Sequence, residues 1–211
     1  MLSAAAFTSR AVRDTPFRWA SLAPTFADPA LARSLAATFP AGLLESAERT
    51  DGSGDKQYVM RSLTVMRDSR WLTAPDDLPG PWPGLVTELA GDAYRDAVAR
   101  MVDVDLSSCR VEIRLCAYPT EGWLSAHTDR PDKVVTQVFY LNEEWDAGWG
   151  GALRLLSSAN EDDVHTVVPP LLDTSVVFVR SDDSWHSVAP VHRDVAHERR
   201  SVLVHFSSPE P

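Results

Sequence analysis

The feature that most restricts the fold is a pair of short motifs far apart in the second half of the chain, His127-Thr128-Asp129 and Trp185-His186-Ser187. In an extended segment, residues two apart leave the same face, so the His127 and Asp129 side chains can meet at one point. A second imidazole from His186 can join them only if the fold lays the later segment beside the earlier one. Two imidazoles and one carboxylate can cap one face of an octahedral metal and leave three positions open.

The intervening and flanking segments set the fold class. Phe17 to Leu22 and Tyr58 to Met66 read as strands, the latter with Val59, Arg61 and Leu63 on one side. Asp28-Pro29 reads as a helix cap followed by proline at the first helical position, with Leu31, Leu35 and Phe39 on one face and Pro40 as the stop. Thr50 to Lys56 is a polar surface loop, and Pro75 to Pro83 an irregular linker. Leu85 to Val102 reads as one long helix with Leu85, Leu89, Tyr94, Val98 and Met101 near one side. From Arg110 onward the chain is β-rich. Helices first and strands after, without regular alternation, give an α+β fold or a helix-buttressed β-sandwich.

One domain is expected for 211 residues. Residues 1–109 form the helical and strand support, and 110–206 the β core. The net charge of −10 argues against nucleic acid and anionic membrane as partners. No apolar run is long enough to span a membrane, and the first residues lack the apolar stretch of a signal peptide. Cys109 and Cys116 fall in one extended segment, too far apart to be bridged, which points to reduced thiols and a cytoplasmic setting.

The ligand set is that of a non-haem Fe(II) oxygenase, although the same residues accommodate Mn, Co or Zn. The series running from Leu124-Ser125-Ala126 through Tyr140-Leu141-Asn142-Glu143-Glu144-Trp145-Asp146, Gly150-Gly151 and Trp185-His186-Ser187-Val188-Ala189-Pro190-Val191 to Arg199-Arg200-Ser201-Val202-Leu203 resembles the Fe(II)/2-oxoglutarate dioxygenases. Within them it is most similar to the prolyl 4-hydroxylase branch. The resemblance covers about Arg110 to Phe206.

It implies a double-stranded β-helix, or jelly-roll, core buttressed by the N-terminal helices. It implies His127, Asp129 and His186 as metal-binding and catalytic residues, with Fe(II), 2-oxoglutarate and O2 as cofactors and ascorbate as an accessory reductant. Arg200 is the expected partner of the remote carboxylate of 2-oxoglutarate, with Arg199 pointing to the opposite face. Tyr118, Tyr140 and Val188 match positions against the co-substrate. Trp123 stands where the branch has a second tyrosine. A carboxylate at Asp129 favours hydroxylation over halogenation, because halogenating members carry a small residue there.

For the primary substrate, Arg114, Arg130, Trp145 and Phe206 are the candidates. Arg114 shares a strand face with Cys116 and Tyr118, and a buried arginine needs an anion, either a protein carboxylate such as Glu112 or an anionic substrate group. Phe206 shares the parity of Arg200 and is expected to wall the pocket. His205 alternates out of phase with it. The functions left open are hydroxylation of a small molecule, prolyl hydroxylation of a peptide or protein, and a non-enzymatic metal-binding β-sandwich.

Overall fold

The computed structural model describes residues 1–209. Its strands are β1 (Trp19–Leu22), β2 (Glu45–Arg49), β3 (Tyr58–Arg67), β4 (Arg70–Trp71), β5 (Arg110–Tyr118), β6 (Trp123–His127), β7 (Lys133–Tyr140), β8 (Leu153–Leu156), β9 (Val164–Val168), β10 (Ser175–Val179), β11 (His186–Val188) and β12 (Arg199–Ser207). The helices are α1 (Pro29–Ala37), α2 (Trp82–Ala90) and α3 (Asp92–Val102). All twelve strands join one curled sheet, along the path β1-β10-β7-β12-β5-β3-β6-β11-β8-β9, with β2 and β4 on β3. Every ladder is antiparallel, which suits a sheet that curls round and encloses one of its own faces. This is the double-stranded β-helix core with N-terminal buttressing helices.

The helices cover the outer face of the broad side. Leu35, Trp82, Leu85, Leu89, Tyr94 and Val98 pack there on Val111, Ile113, Leu115, Phe139, Val202, Val204 and Phe206 in one buried cluster. Asp28 caps α1 as expected, its carboxylate accepting the Ala30 amide at 2.8 Å. The single helix expected over Leu85 to Val102 is instead two. Gly91, at φ −83° and ψ 156°, ends α2 in an extended conformation and caps α3. The apolar positions keep a helical spacing across the break, so periodicity alone does not reveal it. Trp82, placed by sequence in the proline linker, opens α2 and is fully buried. Strand β1 begins two residues later than expected, at Trp19.

Strand β12 is the wall between two compartments. It pairs with β5 on one side and β7 on the other. Val202, Val204 and Phe206 face the helices. Arg199, Ser201, Leu203 and His205 face the inside of the curl. Cross-strand rows follow directly: Arg199 opposite Tyr118, Ser201 between Cys116 and Tyr140, Leu203 between Arg114 and Val138, and His205 between Glu112 and Thr136.

Candidate active site

The two histidines meet because β6 and β11 are neighbours and His127 is the direct cross-strand partner of His186. Their ring centroids are 4.2 Å apart. A register shift sets two steps of β11 (His186 to Val188) against three of β6 (Leu124 to His127). This bulge lets Leu124 and His127 both line the cavity, which strict alternation would forbid. Leu124 therefore reaches the cavity beside the motif, and Trp123 is not among its lining residues.

Asp129, just beyond β6, completes the group. One ligand atom from each of His127, Asp129 and His186 lies within 4.8 Å of the others, and all three residues are buried. The His127 Nδ1 donates to the Ser125 carbonyl at 2.9 Å, and the His186 Nδ1 to the Ser184 carbonyl at 2.9 Å. A carbonyl only accepts, so each Nδ1 holds the proton and each Nε2 keeps its lone pair. Burial, together with the neighbouring imidazole, holds His127 well below its usual range, and burial lowers His186 as well. Both rings are thus neutral, as a metal ligand must be. Burial opposes ionisation of Asp129, but the surrounding imidazoles and the Thr136 hydroxyl outweigh it and the carboxyl is held below its ordinary range.

Behind this trio lies a second layer that the sequence did not disclose. Thr136 donates its hydroxyl to Asp129 Oδ2 at 2.6 Å and lies 2.8 Å from His205 Nδ1. Because the threonine proton goes to the carboxylate, its oxygen accepts from His205 Nδ1–H. His205 was expected on the face opposite the pocket wall and is on the pocket side. Burial pushes its imidazole down to about 4. Phe178 packs on His186 with ring centroids 4.7 Å apart.

The inner cavity, about 60 Å³, is also lined by Tyr118, Val188 and Arg199. Here the sequence expectation is corrected. Arg200 points the other way, over the Phe39 ring at 5.3 Å, and Arg199 points inward. Asn142 fixes this frame at the start of β12: its Oδ1 accepts the Arg200 amide at 2.9 Å and its Nδ2 donates to the Glu198 carbonyl at 2.8 Å. Arg199 is only 2% exposed and sits over the rings of Tyr118 and Tyr140, at 4.9 and 5.2 Å. Its hydrogen bond is to Ser201 Oγ at 3.3 Å, while Arg199 Nε and the Tyr140 hydroxyl are buried without partners among the described residues. Burial pushes Tyr140 up to about 12 and raises Tyr118 too, so both phenols stay protonated donors.

Phe206 shares the outward parity of Arg200 and packs on Tyr94, with ring centroids 5.8 Å apart. It belongs to the core and does not wall the pocket. Trp145 is also withdrawn: its indole donates to the Gly150 carbonyl at 2.8 Å and it packs edge-on to Trp149. The close approach of Gly151 holds it there. Arg114 and Arg130 line a second, outer cleft of about 260 Å³ that shares Cys116, Tyr118, Leu124, Asp129, Leu203 and His205 with the inner cavity. Arg114 donates to Glu112 at 2.6 Å, and Arg130 forks onto Asp132 at 3.0 and 2.8 Å. Lys56, which the sequence placed in a surface loop, lines both spaces. Cys109 and Cys116 are free, buried thiols.

Residues 113–207 match the family model of the 2OG-Fe(II) oxygenase superfamily. Among solved structures the chain is similar to a prolyl-4-hydroxylase from Pseudomonas putida, with 26% identity, a TM-score of 0.64 and coverage of 95% of this chain and 98% of that one. It shares its fold with a prolyl hydroxylase from Trichoplax adhaerens in complex with a hypoxia inducible factor oxygen degradation domain peptide fragment, at 15% identity and a TM-score of 0.65, covering 90% and 83%. The fold also matches EvdO2 from Micromonospora carbonacea var. aurantiaca complexed with 2-oxoglutarate, at 15% identity and a TM-score of 0.54, covering 91% and 87%. No curated protein sequence matches the chain.

Proposed function

From the premise that this chain belongs to the 2OG-Fe(II) oxygenase superfamily and is a 2-oxoglutarate-dependent oxygenase, we propose that it hydroxylates an unactivated C–H bond of a small molecule. The observation that carries the site assignment is Arg199: a guanidinium buried beside the His-Asp-His group, with an unpartnered Nε and no carboxylate among its described partners. A buried cation in that state calls for an anion. The residues present fit the implied groups. His127 Nε2, His186 Nε2 and Asp129 would hold Fe(II). Arg199, with the hydroxyls of Tyr140 and Tyr118, would hold the remote carboxylate of 2-oxoglutarate.

When bound, Fe(II), 2-oxoglutarate and O2 supply the C–H oxidation, with succinate and carbon dioxide as co-products. The chain's own residues position and exclude. The Ser125 and Ser184 carbonyls aim the two imidazoles; Thr136 holds one oxygen of Asp129. Tyr118, Val188, Leu153 and Phe178 keep water from the inner cavity. The outer cleft admits the substrate. Its volume of about 260 Å³ lies just under the range of about 300–1,000 Å³ common for small-molecule sites, which favours a compact substrate.

The likeness at 26% identity to a prolyl-4-hydroxylase favours a second reading, hydroxylation of a prolyl residue in a peptide. Anaerobic titration with Fe(II) and 2-oxoglutarate tests the common ground. A weak visible charge-transfer band is expected with the wild-type chain and not with Arg199→Ala at the same co-substrate concentration. A band that survives unchanged in that variant removes Arg199 from the assignment. Succinate release on a metabolite panel and on proline-containing peptides then separates the two readings.

A further inference from the structure

The outer cleft carries a charge opposite in sign to that of the whole molecule. The chain bears a net −10. Yet Arg49, Lys56, Arg114, Arg130 and Lys133 all line this one cleft. The ion pairs around it account for most of them: Arg49 with Asp55 at 3.9 Å, Arg130 with Asp132 at 2.8 Å, and both Arg114 and Lys133 with the single carboxylate of Glu112, at 2.6 and 3.5 Å. Two cations share Glu112, and no pair among the described residues reaches Lys56. Arg114 Nε is buried without a partner among the described residues. Against Asp55, Asp132 and Glu112 the five cations leave two positive charges; Asp129, the fourth acid, belongs to the metal group, and counting it leaves one. One of these cations, Lys56, stands where the outer cleft passes into the cavity of His127, Asp129 and His186.

We propose that Lys56 and Arg114 bind a carboxylate of the primary substrate, so that the substrate is a free organic acid, such as an amino acid or hydroxy acid, and not an internal residue of a peptide. This rests on the oxygenase reading above and narrows it. Arg199 takes the co-substrate at the inner end; Lys56 and Arg114 take the substrate at the outer end, with the reacting carbon between them. A monoanion suits the cleft better than a phosphate dianion, because Glu112 and Asp55 share its walls. Lys56 supplies a point charge on a flexible stem, and Arg114 a planar fork already oriented by Glu112.

The test uses the full chain loaded with Mn(II) and 2-oxoglutarate, so that binding is read without turnover. The probes are the L-amino acids and C3–C6 hydroxy acids, each beside its primary amide, with phosphoethanolamine and a proline-containing peptide blocked at both ends as further arms. The expected result is calorimetric binding of at least one acid and loss of binding by its amide. Lys56→Met and Arg114→Leu should each weaken it about tenfold or more, and Lys56→Arg should restore most of it. The charge-transfer band with Fe(II) and 2-oxoglutarate should persist in all three variants. Amides binding as well as acids, binding unaffected by either substitution, preference for phosphoethanolamine or the blocked peptide, or no acid bound at all would each overturn the proposal. Absence of the band in the wild-type chain would instead strike the oxygenase reading beneath it.

Discussion

His205 and Thr136 face each other across β12 and β7, with Nδ1 and Oγ1 2.8 Å apart, and through that contact the last strand of the sheet reaches the Asp129 carboxylate. The donor order runs one way, from imidazole to hydroxyl to carboxylate. Thr136→Val removes the middle of this chain while nearly keeping its shape. It should weaken Mn(II) binding, followed by electron paramagnetic resonance, by about 10–100-fold. Thr136→Ser should bind nearly as the wild type does. Unchanged Mn(II) affinity in the valine variant would show that Asp129 needs no such support.

The adjacent arginines of β12 give a sharp pair of substitutions. Arg199→Ala should raise the 2-oxoglutarate requirement steeply, since each charged hydrogen bond lost is worth about 1.5–3 kcal/mol. Arg199→Lys should recover little, because a point charge does not reproduce the planar fork. Arg200→Ala, on the Phe39 side, should leave co-substrate affinity alone. A reversed pattern in steady-state kinetics would mean that the side chain over Phe39 enters the site in solution.

Glu112 gives a pH dependence. Burial works to raise its carboxyl, but Arg114 and Lys133, with smaller help from His205, outweigh that and hold it below its ordinary value. A carboxyl depressed on folding stabilises fully above its unfolded value of about 4.3. That contribution is lost as pH falls through the lower folded value. The melting temperatures of wild type and Glu112→Gln should therefore differ most above about pH 5 and converge in stronger acid. A gap that widens on acidification would give the wrong sign.

Gly150 is a structural test. It sits at φ +72°, and a Cβ there would collide with the Pro190 carbonyl oxygen where the turn before β8 bridges to Val191. Gly150→Ala should cost about 3 kcal/mol or more in urea unfolding, since strained backbone and backbone clash add. Gly42, whose Cβ would meet nothing within 4 Å, is the matched control and should tolerate alanine.

Much of this architecture was legible in the sequence, and the failures have definite physical causes. His127, Asp129 and His186 could be picked out because two short motifs carry them, and the structure draws them into one group. The motif points to Arg200, whereas strand alternation carries the contrary signal. Val202, Val204 and Phe206 form a wholly apolar row, the mark of the face against the helices, and Arg200 shares its parity. The mixed row of Arg199, Ser201 and His205 is the one suited to a polar cavity. The same parity puts His205 in the cavity and Phe206 in the core. Thr136 and Lys56 carried no motif, and only the fold brings them to the site. The break at Gly91 escaped because the apolar spacing continues across it. The bulge in β6 escaped because periodicity assumes an unbroken ladder.

The two-sided character of β12 limits how the gene can change length. Deleting or inserting one residue anywhere from 199 to 203 would exchange the compartments beyond that point: Val204 and Phe206 would turn toward the cavity while His205 met the helices. Two-residue changes would preserve facing but slide the Arg199 row past Tyr118 and Tyr140. The strand is in this sense a reading frame of period two, closed to small indels of either parity. Change within it is confined to substitution, whereas the exposed turn at 50–55 lies ahead of the Gln57–Ser125 backbone tie and has no such two-sided constraint.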